Sequence, residues 1–214
     1  MLYDVARVTK SAEALRILER YLVEVVERYA LCPWARTARE RGELAVGIVW
    51  GAPSFAEWVD EANRLLMAPA TRVAMVIAPE LEISREAFAM VRDQVAATLP
   101  WAGVAEFHPS AALDLATPAR LVRFLRRSPD PLLQLVPLAV IDAVRAGPPT
   151  ADLARQAAML GGLAASPPPD AADRIAAVNH ATVSRAHAEI IAVLDDIAAD
   201  RRDAYARAGI TAFR

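Results

Sequence analysis

Apolar residues near the start of the chain recur every three or four positions, the spacing typical of a helix that buries one face. The positions concerned are Leu15, Leu18, Leu22, Val25, Val26 and Tyr29. They follow Ser11, whose hydroxyl can cap a helix, and predict a helix over residues 11–30. Cys32-Pro33 ends this helix, because proline lacks an amide hydrogen and disfavours helical geometry in the residue before it.

Short, mostly apolar runs alternate with helical patterns through the middle of the chain. The patterns predict strands over 44–50, 72–78, 103–107 and 132–136, and helices over 54–67, 84–99, 117–127 and 138–145. Ser54, Ser84 and Thr117 stand where these helices are expected to begin. The alternation predicts an α/β fold with a three- to four-stranded parallel or mixed sheet flanked by helices, and a ferredoxin-like sheet is one of the alternatives.

The last third of the chain is predicted to be helical. Proline-rich stretches at 147–149 and 166–169 divide an α/β domain, 1–146, from a helical part, 147–214, which we expect to pack on it as one structural unit. Two helices are predicted there, one over 151–163 and a long one capped by Asp170. An apolar stripe runs along the long helix from Ile175 to Ile197, and we expect it to pack against the body or to form a homodimer.

The end of the long helix is rich in charged residues and is predicted to be exposed to solvent. The residues concerned are Asp195, Asp196, Asp200, Arg201, Arg202 and Asp203.

Composition narrows the class of protein. The chain of 214 residues is 55% hydrophobic, with 24 basic and 26 acidic residues. This near balance argues against a nucleic-acid scaffold or a membrane-surface protein. The most apolar run, 132–144, is too short to span a bilayer, and the first residues do not resemble an export signal. A single cysteine excludes an intramolecular disulfide, so we expect a cytoplasmic protein.

Cys32 stands at the end of the first predicted helix, within Leu31-Cys32-Pro33-Trp34-Ala35. An accessible thiol there is a candidate nucleophile, metal ligand or thiolate ligand to haem iron. The carboxyl end of a helix carries partial negative charge, which raises a thiol pKa and argues against the nucleophile. The alternative is a small buried apolar residue without a chemical role.

His108 follows the predicted strand over 103–107 and precedes Pro109. It is therefore expected on a rigid loop at the carboxyl end of a strand, where open α/β sheets bind ligands. We interpret it as a general acid/base or a metal ligand, and alternatively as a side chain whose two ring nitrogens pin the loop over 109–117. A zinc site with Cys32 would need His180 or His187 and an acidic residue as well.

Arg127 opens the turn Arg127-Ser128-Pro129-Asp130-Pro131, and its planar guanidinium suits a carboxylate or a phosphate. Ser128 lacks a Gly-x-Ser-x-Gly context and is expected to be a turn-forming hydroxyl beside the ligand. The neighbouring arginines are interpreted as solvated cations at a helix end. They are Arg120, Arg123 and Arg126.

Three motifs in this order resemble the domain of unknown function 1415 family of bacterial proteins. They are Leu-Cys-Pro-aromatic-Ala, Phe-His-Pro and Arg-Ser-Pro-x-Pro, here over 31–35, 107–109 and 127–131. The likeness extends to Ile175-x-x-x-Asn179-x-x-Thr182, so it covers most of the chain. It implies no particular reaction.

The chain departs from the family pattern at two places. Gln134, Pro137 and Leu138 stand where family members usually have a histidine and an Arg-Glu pair, and Ala111 and Leu113 replace aromatic residues. A family activity that uses the histidine and arginine would be changed or lost in this chain.

Three functions remain open from the sequence. The first is a cytoplasmic enzyme for a small anionic metabolite, with Cys32, His108 and Arg127 as catalytic residues. Substrate contacts would come from Arg127, Ser128, Gln134 and Asn179, and a metal ion or haem could bind through Cys32 and His108. The second is a non-catalytic carrier of a metal, haem or another small molecule. The third is an interaction protein that forms a homodimer through its long helix.

Overall fold

A four-stranded mixed sheet lies between two layers of helices in the computed structural model, which describes residues 2–145 and 171–211. The strands are β1 (Leu44–Ile48), β2 (Val73–Ile77), β3 (Ala102–Phe107) and β4 (Leu132–Pro137). Their order is β1-β2-β4-β3, with β1 and β2 parallel and β4 antiparallel to both of its neighbours. The predicted α/β class with a mixed sheet and a long carboxyl-terminal helix is confirmed.

Side-chain caps explain where several helices begin. Ser54 accepts from the Glu57 amide and forms a reciprocal capping box, while Ser84 and Thr117 accept from amides three residues on. The helices are α1 (Leu2–Arg20), α2 (Ala35–Glu40), α3 (Phe55–Leu66), α4 (Arg85–Thr98), α5 (Pro118–Leu125), α6 (Leu138–Arg145) and α7 (Ala171–Ala208).

Not every predicted element can be compared with the structure. The predicted helix over 151–163, the proline-rich stretches and the Asp170 cap lie outside the described residues. The short helix α2 was not predicted.

The first predicted helix differs from expectation. Helix α1 gives way to a π-helix over Tyr21–Glu27, and the helical part ends before Ala30, whose φ is 51°. A π-helix places one extra residue in each turn, and this widening changes which side chains face the core. Glu27 then accepts two hydrogen bonds from Arg39, at 2.7 and 3.0 Å, which join the π-helix to α2.

The two faces of the sheet bury different cores, because alternate residues of a strand point to opposite sides. Met75, Ile77 and Leu132 belong to the core shared with α1, the π-helix, α5 and α7. Ala74 and Leu133 face the core formed with α3 and α4. Both faces are therefore covered by helices.

The apolar stripe of α7 is buried within the same chain. Val183, Ile190 and Ile197 are fully buried in the core that α7 shares with α1 and α5, whereas Val178 is 59% exposed. The stripe is therefore used for packing on the body. None of the described helices has the length and apolar character needed to cross a bilayer.

The prediction of a solvated end on α7 was wrong for Arg201. Arg201 is buried, and Ala204 and Tyr205 beyond it are also buried. The helical spacing of the apolar stripe continues through Arg201 and carries this side chain inward. Asp200 lies beside it and accepts hydrogen bonds from Arg16 and Arg20 at 2.7 to 2.8 Å.

Candidate functional site

A cavity that we call the thiol cavity lies between the sheet and the π-helix. Its volume is about 280 Å³, and its wall is mostly apolar. Apolar contributions come from Leu22, Val26, Leu31, Met75, Phe107 and Leu125. Tyr21, Cys32, Arg126 and Gln134 add a phenol, a thiol, a guanidinium and an amide. A largely apolar cavity with a few polar groups is the usual form of a small-molecule site.

The Leu-Cys-Pro segment is held in place by α7. The side-chain amide of Asn179 donates to the Leu31 carbonyl oxygen at 2.9 Å, and Asn179 itself is buried. This bond fixes the backbone directly before Cys32. Asn179, which was predicted to touch the ligand, thus supports the wall of the thiol cavity and is not one of its lining residues.

Burial controls the ionisation of two groups in the thiol cavity. It raises the pKa of Cys32, while the backbone amides of Trp34 and Ala35 oppose part of that rise. The pKa rise expected from sequence therefore holds, with burial in place of the helix end as its cause. Burial also raises the pKa of Tyr21, with a smaller contribution from Cys32. Both groups are therefore protonated at neutral pH.

Two polar side chains of the thiol cavity have no hydrogen-bond partner among the described residues. Tyr21 is 3% exposed, and its hydroxyl makes no such bond. Gln134 lies within β4 between Met75 and Ala105 of the neighbouring strands, and its side-chain amide also makes none. Both side chains line the cavity, so their polar groups are available to a ligand.

A second, smaller space adjoins the thiol cavity and is rich in arginine; we call it the arginine pocket. It measures about 40 Å³, and its residues are Arg85, Glu106, His108, Ala111, Val122, Arg123 and Arg126. Val122 and Arg126 line both spaces. Glu106 lies 3.5 Å from Arg126 and 3.2 Å from Arg92, so one carboxylate is shared by two guanidinium groups.

A third space, the proline cleft, is lined by the segments that follow β2 and β3, by the turn before β4 and by α7. It measures about 250 Å³, and its residues are Leu81, Ile83, His108, Pro109, Ser110, Pro129, Pro131, Ala198, Arg201 and Arg202. The Phe-His-Pro and Arg-Ser-Pro-x-Pro motifs meet in this cleft. His108 thus lies at the carboxyl end of a strand, as the sequence indicated.

His108 uses both ring nitrogens within the protein. Its Nε2 lies 3.0 Å from the Ile83 carbonyl oxygen, and its Nδ1 lies 2.8 Å from Ser110 Oγ and 3.2 Å from the Ser110 amide nitrogen. These contacts pin the loop, which was one of the alternatives for this residue. They leave neither nitrogen unengaged for a metal ion.

Arg127 and Ser128 lie apart from these three spaces. Arg127 Nη2 is 3.5 Å from Asp195 Oδ1, and Arg127 lines none of them. Ser128 is buried and donates its hydroxyl to the Asp130 carbonyl oxygen at 2.5 Å. The structure therefore does not bring Cys32, His108 and Arg127 to one space. Cys32 and Gln134 share the thiol cavity, and Arg126 lies between them and His108.

Metal ligands do not cluster in the described part of the chain. No group of three or more histidine, cysteine, aspartate or glutamate side chains is arranged there to hold a metal ion. His180 binds the Leu115 carbonyl oxygen at 2.9 Å, and His187 binds the Ser184 carbonyl oxygen at 3.2 Å. Cys32 and His108 line different spaces.

A buried ionic network supports the turn that ends with Pro131. Arg201 donates to Asp130 Oδ1 at 2.8 Å through Nε and also binds it at 2.6 Å through Nη2. Tyr205 donates to the other carboxylate oxygen at 2.6 Å, and Arg201 reaches the Pro79 carbonyl oxygen at 3.2 Å. Burial and the Asp130 charge raise the pKa of Tyr205, which keeps its hydroxyl a donor.

Sequence reasoning missed four residues of these sites. Tyr21 and Ser110 carry no local signal that separates them from ordinary helix and turn residues. Arg126 was interpreted as a solvated cation because it stands at a helix end. Arg201 could have been found, since it continues the spacing of the apolar stripe.

Comparisons of the chain with models of known families, with curated proteins and with solved structures found no match. The resemblance to the domain of unknown function 1415 family stays a prediction.

Proposed function

We propose that the protein binds a small amphipathic anion in the thiol cavity. The apolar body of the ligand packs between the sheet and the π-helix, and its anionic end faces Arg126. A carboxylate with a short hydrocarbon chain has this chemistry. This ligand is a small anionic metabolite, as the sequence hypothesis proposed. Arg126 takes the anion-binding role that the sequence hypothesis gave to Arg127.

The unpartnered hydroxyl of Tyr21 is the observation on which this function rests. Tyr21 lines the cavity, so a ligand carboxylate can accept from its hydroxyl, and a hydrogen bond to a charged group contributes about 1.5–3 kcal/mol. Gln134 offers a second donor and acceptor in the same cavity. The adjacent π-helix adds support, because such segments are rare and are frequent at functional sites.

Charge around Arg126 favours an anion. Glu106 is shared between Arg92 and Arg126, and Arg92 also pairs with Asp93 at 2.8 Å. Arg85 and Arg123, on the wall of the arginine pocket, form no ion pair with a described residue. The positive groups therefore outnumber the carboxylates beside the thiol cavity, and an incoming anion is attracted to this end.

Cys32 acts in this proposal as a cavity residue and not as a nucleophile. Only the thiolate is strongly nucleophilic, and burial raises the pKa of Cys32. A binding function therefore has more support than covalent catalysis by this thiol. A reducing cytoplasm, where such a thiol persists, is the location we infer.

The long-helix homodimer has less support than ligand binding. Most of the apolar stripe of α7 is already buried against its own chain, with Val178 the exposed exception. A dimer through this helix stays a prediction that light scattering can test.

Ligand binding can be tested with octanoate and its neutral analogue octanol. Titration calorimetry on the full chain should show tighter binding of octanoate, because only octanoate carries charge to Arg126. Cys32 is the only cysteine, so its rate of alkylation by N-ethylmaleimide reports occupancy of the cavity. Saturating octanoate should slow that rate.

Three variants test which side chains contact the bound octanoate. Tyr21→Phe should weaken octanoate binding about tenfold, since it removes a hydrogen bond to a charged group. Arg126→Gln should lower the octanoate affinity to that of octanol, whereas Arg127→Gln, its matched neighbour outside the cavity, should change neither. Octanoate that fails to bind, or that binds Tyr21→Phe and Arg126→Gln as well as the unmodified protein, would overturn this function.

A further inference from the structure

We propose that Ser110 and His108 form a nucleophile and base pair for acyl transfer in the proline cleft. This site is separate from the thiol cavity and uses none of the residues that bind the amphipathic anion. Its substrate class is a carboxylic ester with a small apolar acyl group.

The hydrogen bonds of His108 determine which nitrogen carries the proton. The Ile83 carbonyl oxygen only accepts, so the Nε2 that lies 3.0 Å from it is the protonated nitrogen. The Ser110 amide donates to Nδ1 at 3.2 Å, which requires a lone pair there. The Ser110 hydroxyl, at 2.8 Å from the same nitrogen, therefore donates to it. A hydroxyl, a neutral imidazole that can take its proton and a group that orients the imidazole are the parts of an activated serine.

The surroundings hold the base rigidly and leave the nucleophile open. His108 is 6% exposed, its amide donates to the Arg126 carbonyl oxygen at 2.9 Å, and its ring packs against Phe88 with centroids 6.2 Å apart. Ser110, in contrast, is exposed and lines the cleft. The base is therefore held in place while the hydroxyl is accessible to a substrate in the cleft.

The walls of the proline cleft indicate the substrate. Pro129, Pro131 and Ile83 offer rigid apolar surface for an acyl group. Arg202 is exposed, lines the same cleft and forms no ion pair with a described residue. Arg201 is held by Asp130 and supports the wall. An ester with an anionic substituent fits this combination better than a neutral one.

The reaction divides into two balanced steps. Ser110 Oγ bonds to the ester carbonyl carbon while its proton moves to His108 Nδ1, and the bond to the alcohol oxygen then breaks as that oxygen takes the proton from Nδ1. Water next attacks the acyl-serine and gives a proton to Nδ1. The bond from carbon to Oγ breaks, Oγ regains the proton, and the carboxylic acid leaves.

Two probes, phenylmethylsulfonyl fluoride and p-nitrophenyl acetate, test this site in the unmodified protein. Mass spectrometry should locate the sulfonyl group on Ser110 after reaction with the first, a result that needs no variant. Hydrolysis of the second should fall to the background rate in Ser110→Ala. In His108→Gln it should fall about 10²–10⁴-fold, the usual contribution of a general base.

Ser184→Ala is the matched control. Ser184 is an exposed serine whose neighbour His187 binds the Ser184 backbone oxygen and not its hydroxyl, so its removal should leave both reactions unchanged. Sulfonylation absent from Ser110, or hydrolysis that survives in Ser110→Ala, would show that this hydroxyl only closes the turn. Circular dichroism of His108→Gln separates loss of fold from loss of the base.

Discussion

Two buried tyrosines in the same core give opposite predictions for the same substitution. Tyr205 is 1% exposed and donates to Asp130 Oδ2 at 2.6 Å, whereas Tyr21 is 3% exposed and has no hydrogen-bond partner among the described residues. Phenylalanine keeps the ring and removes only the hydroxyl. Tyr205→Phe therefore removes a hydrogen bond, whereas Tyr21→Phe removes a hydroxyl that makes none.

The expected losses follow from these contacts. In Tyr205→Phe one oxygen of a buried carboxylate loses its donor, and a hydrogen bond to a charged group is worth about 1.5–3 kcal/mol. Arg201 still binds the other oxygen, so we expect a loss of about 2 kcal/mol and a Tm lower by roughly 4–8 °C. Tyr21→Phe breaks no hydrogen bond within the protein, so its stability should stay within about 0.5 kcal/mol or rise.

Urea unfolding followed by circular dichroism measures both free energies, with the slope against urea as a check that the unfolded state is unchanged. Burial keeps both phenols protonated at neutral pH, so ionisation does not enter the comparison. Equal losses in the two variants, or an unchanged stability in Tyr205→Phe, would refute this account of the hydroxyls.

Three further predictions concern charge. Arg201→Met removes the partner of the buried Asp130 carboxylate and should lower the free energy of unfolding, measured with urea, by about 3–5 kcal/mol. A loss below about 1 kcal/mol would contradict the burial of Asp130 as a charged group. Hydrogen bonds from Arg39 lower the pKa of Glu27, so this carboxylate contributes stability above an ordinary glutamate pKa and loses it as pH falls. Arg39→Gln should therefore flatten the loss of stability between neutral and acid pH, and an unaltered pH profile would argue against the pair. Alkylation of Cys32 should reach half its maximal rate at a higher pH than that of a free thiol, because burial raises its pKa; a midpoint below that of free cysteine would be inconsistent with this cause.

Local chemistry was enough to predict most of the elements. Ser54, Ser84 and Thr117 each cap the helix that was expected to begin there, because a side-chain oxygen three residues from an amide satisfies it wherever the helix lies. The four strands were recognisable as short, mostly apolar runs between helical patterns and turn residues. The π-helix over Tyr21–Glu27 was not, since a spacing of three and four residues cannot reveal one extra residue in a turn.

The candidate sites depended on distant partners. Cys32 was singled out from its motif, but Tyr21 and Gln134 join it only because the π-helix lies over the face of the sheet to which Gln134 belongs. Arg126 and Arg127 are adjacent in sequence but have different surroundings. Helix α5 ends at Leu125 and Arg126 has already left helical geometry, so Arg126 lines the thiol cavity while Arg127 reaches Asp195.

The α/β class, the helix caps and the residue types available for chemistry could be predicted from the chain, because they depend on contacts within a few positions. Which of these residues meet depends on the tertiary fold. His108 and Ser110 share a hydrogen bond across one turn, yet the cleft they face is completed by α7, far away in sequence. The packing of helices on the two faces of the sheet decides which residues from distant parts of the chain become neighbours. No local sequence pattern specifies this packing.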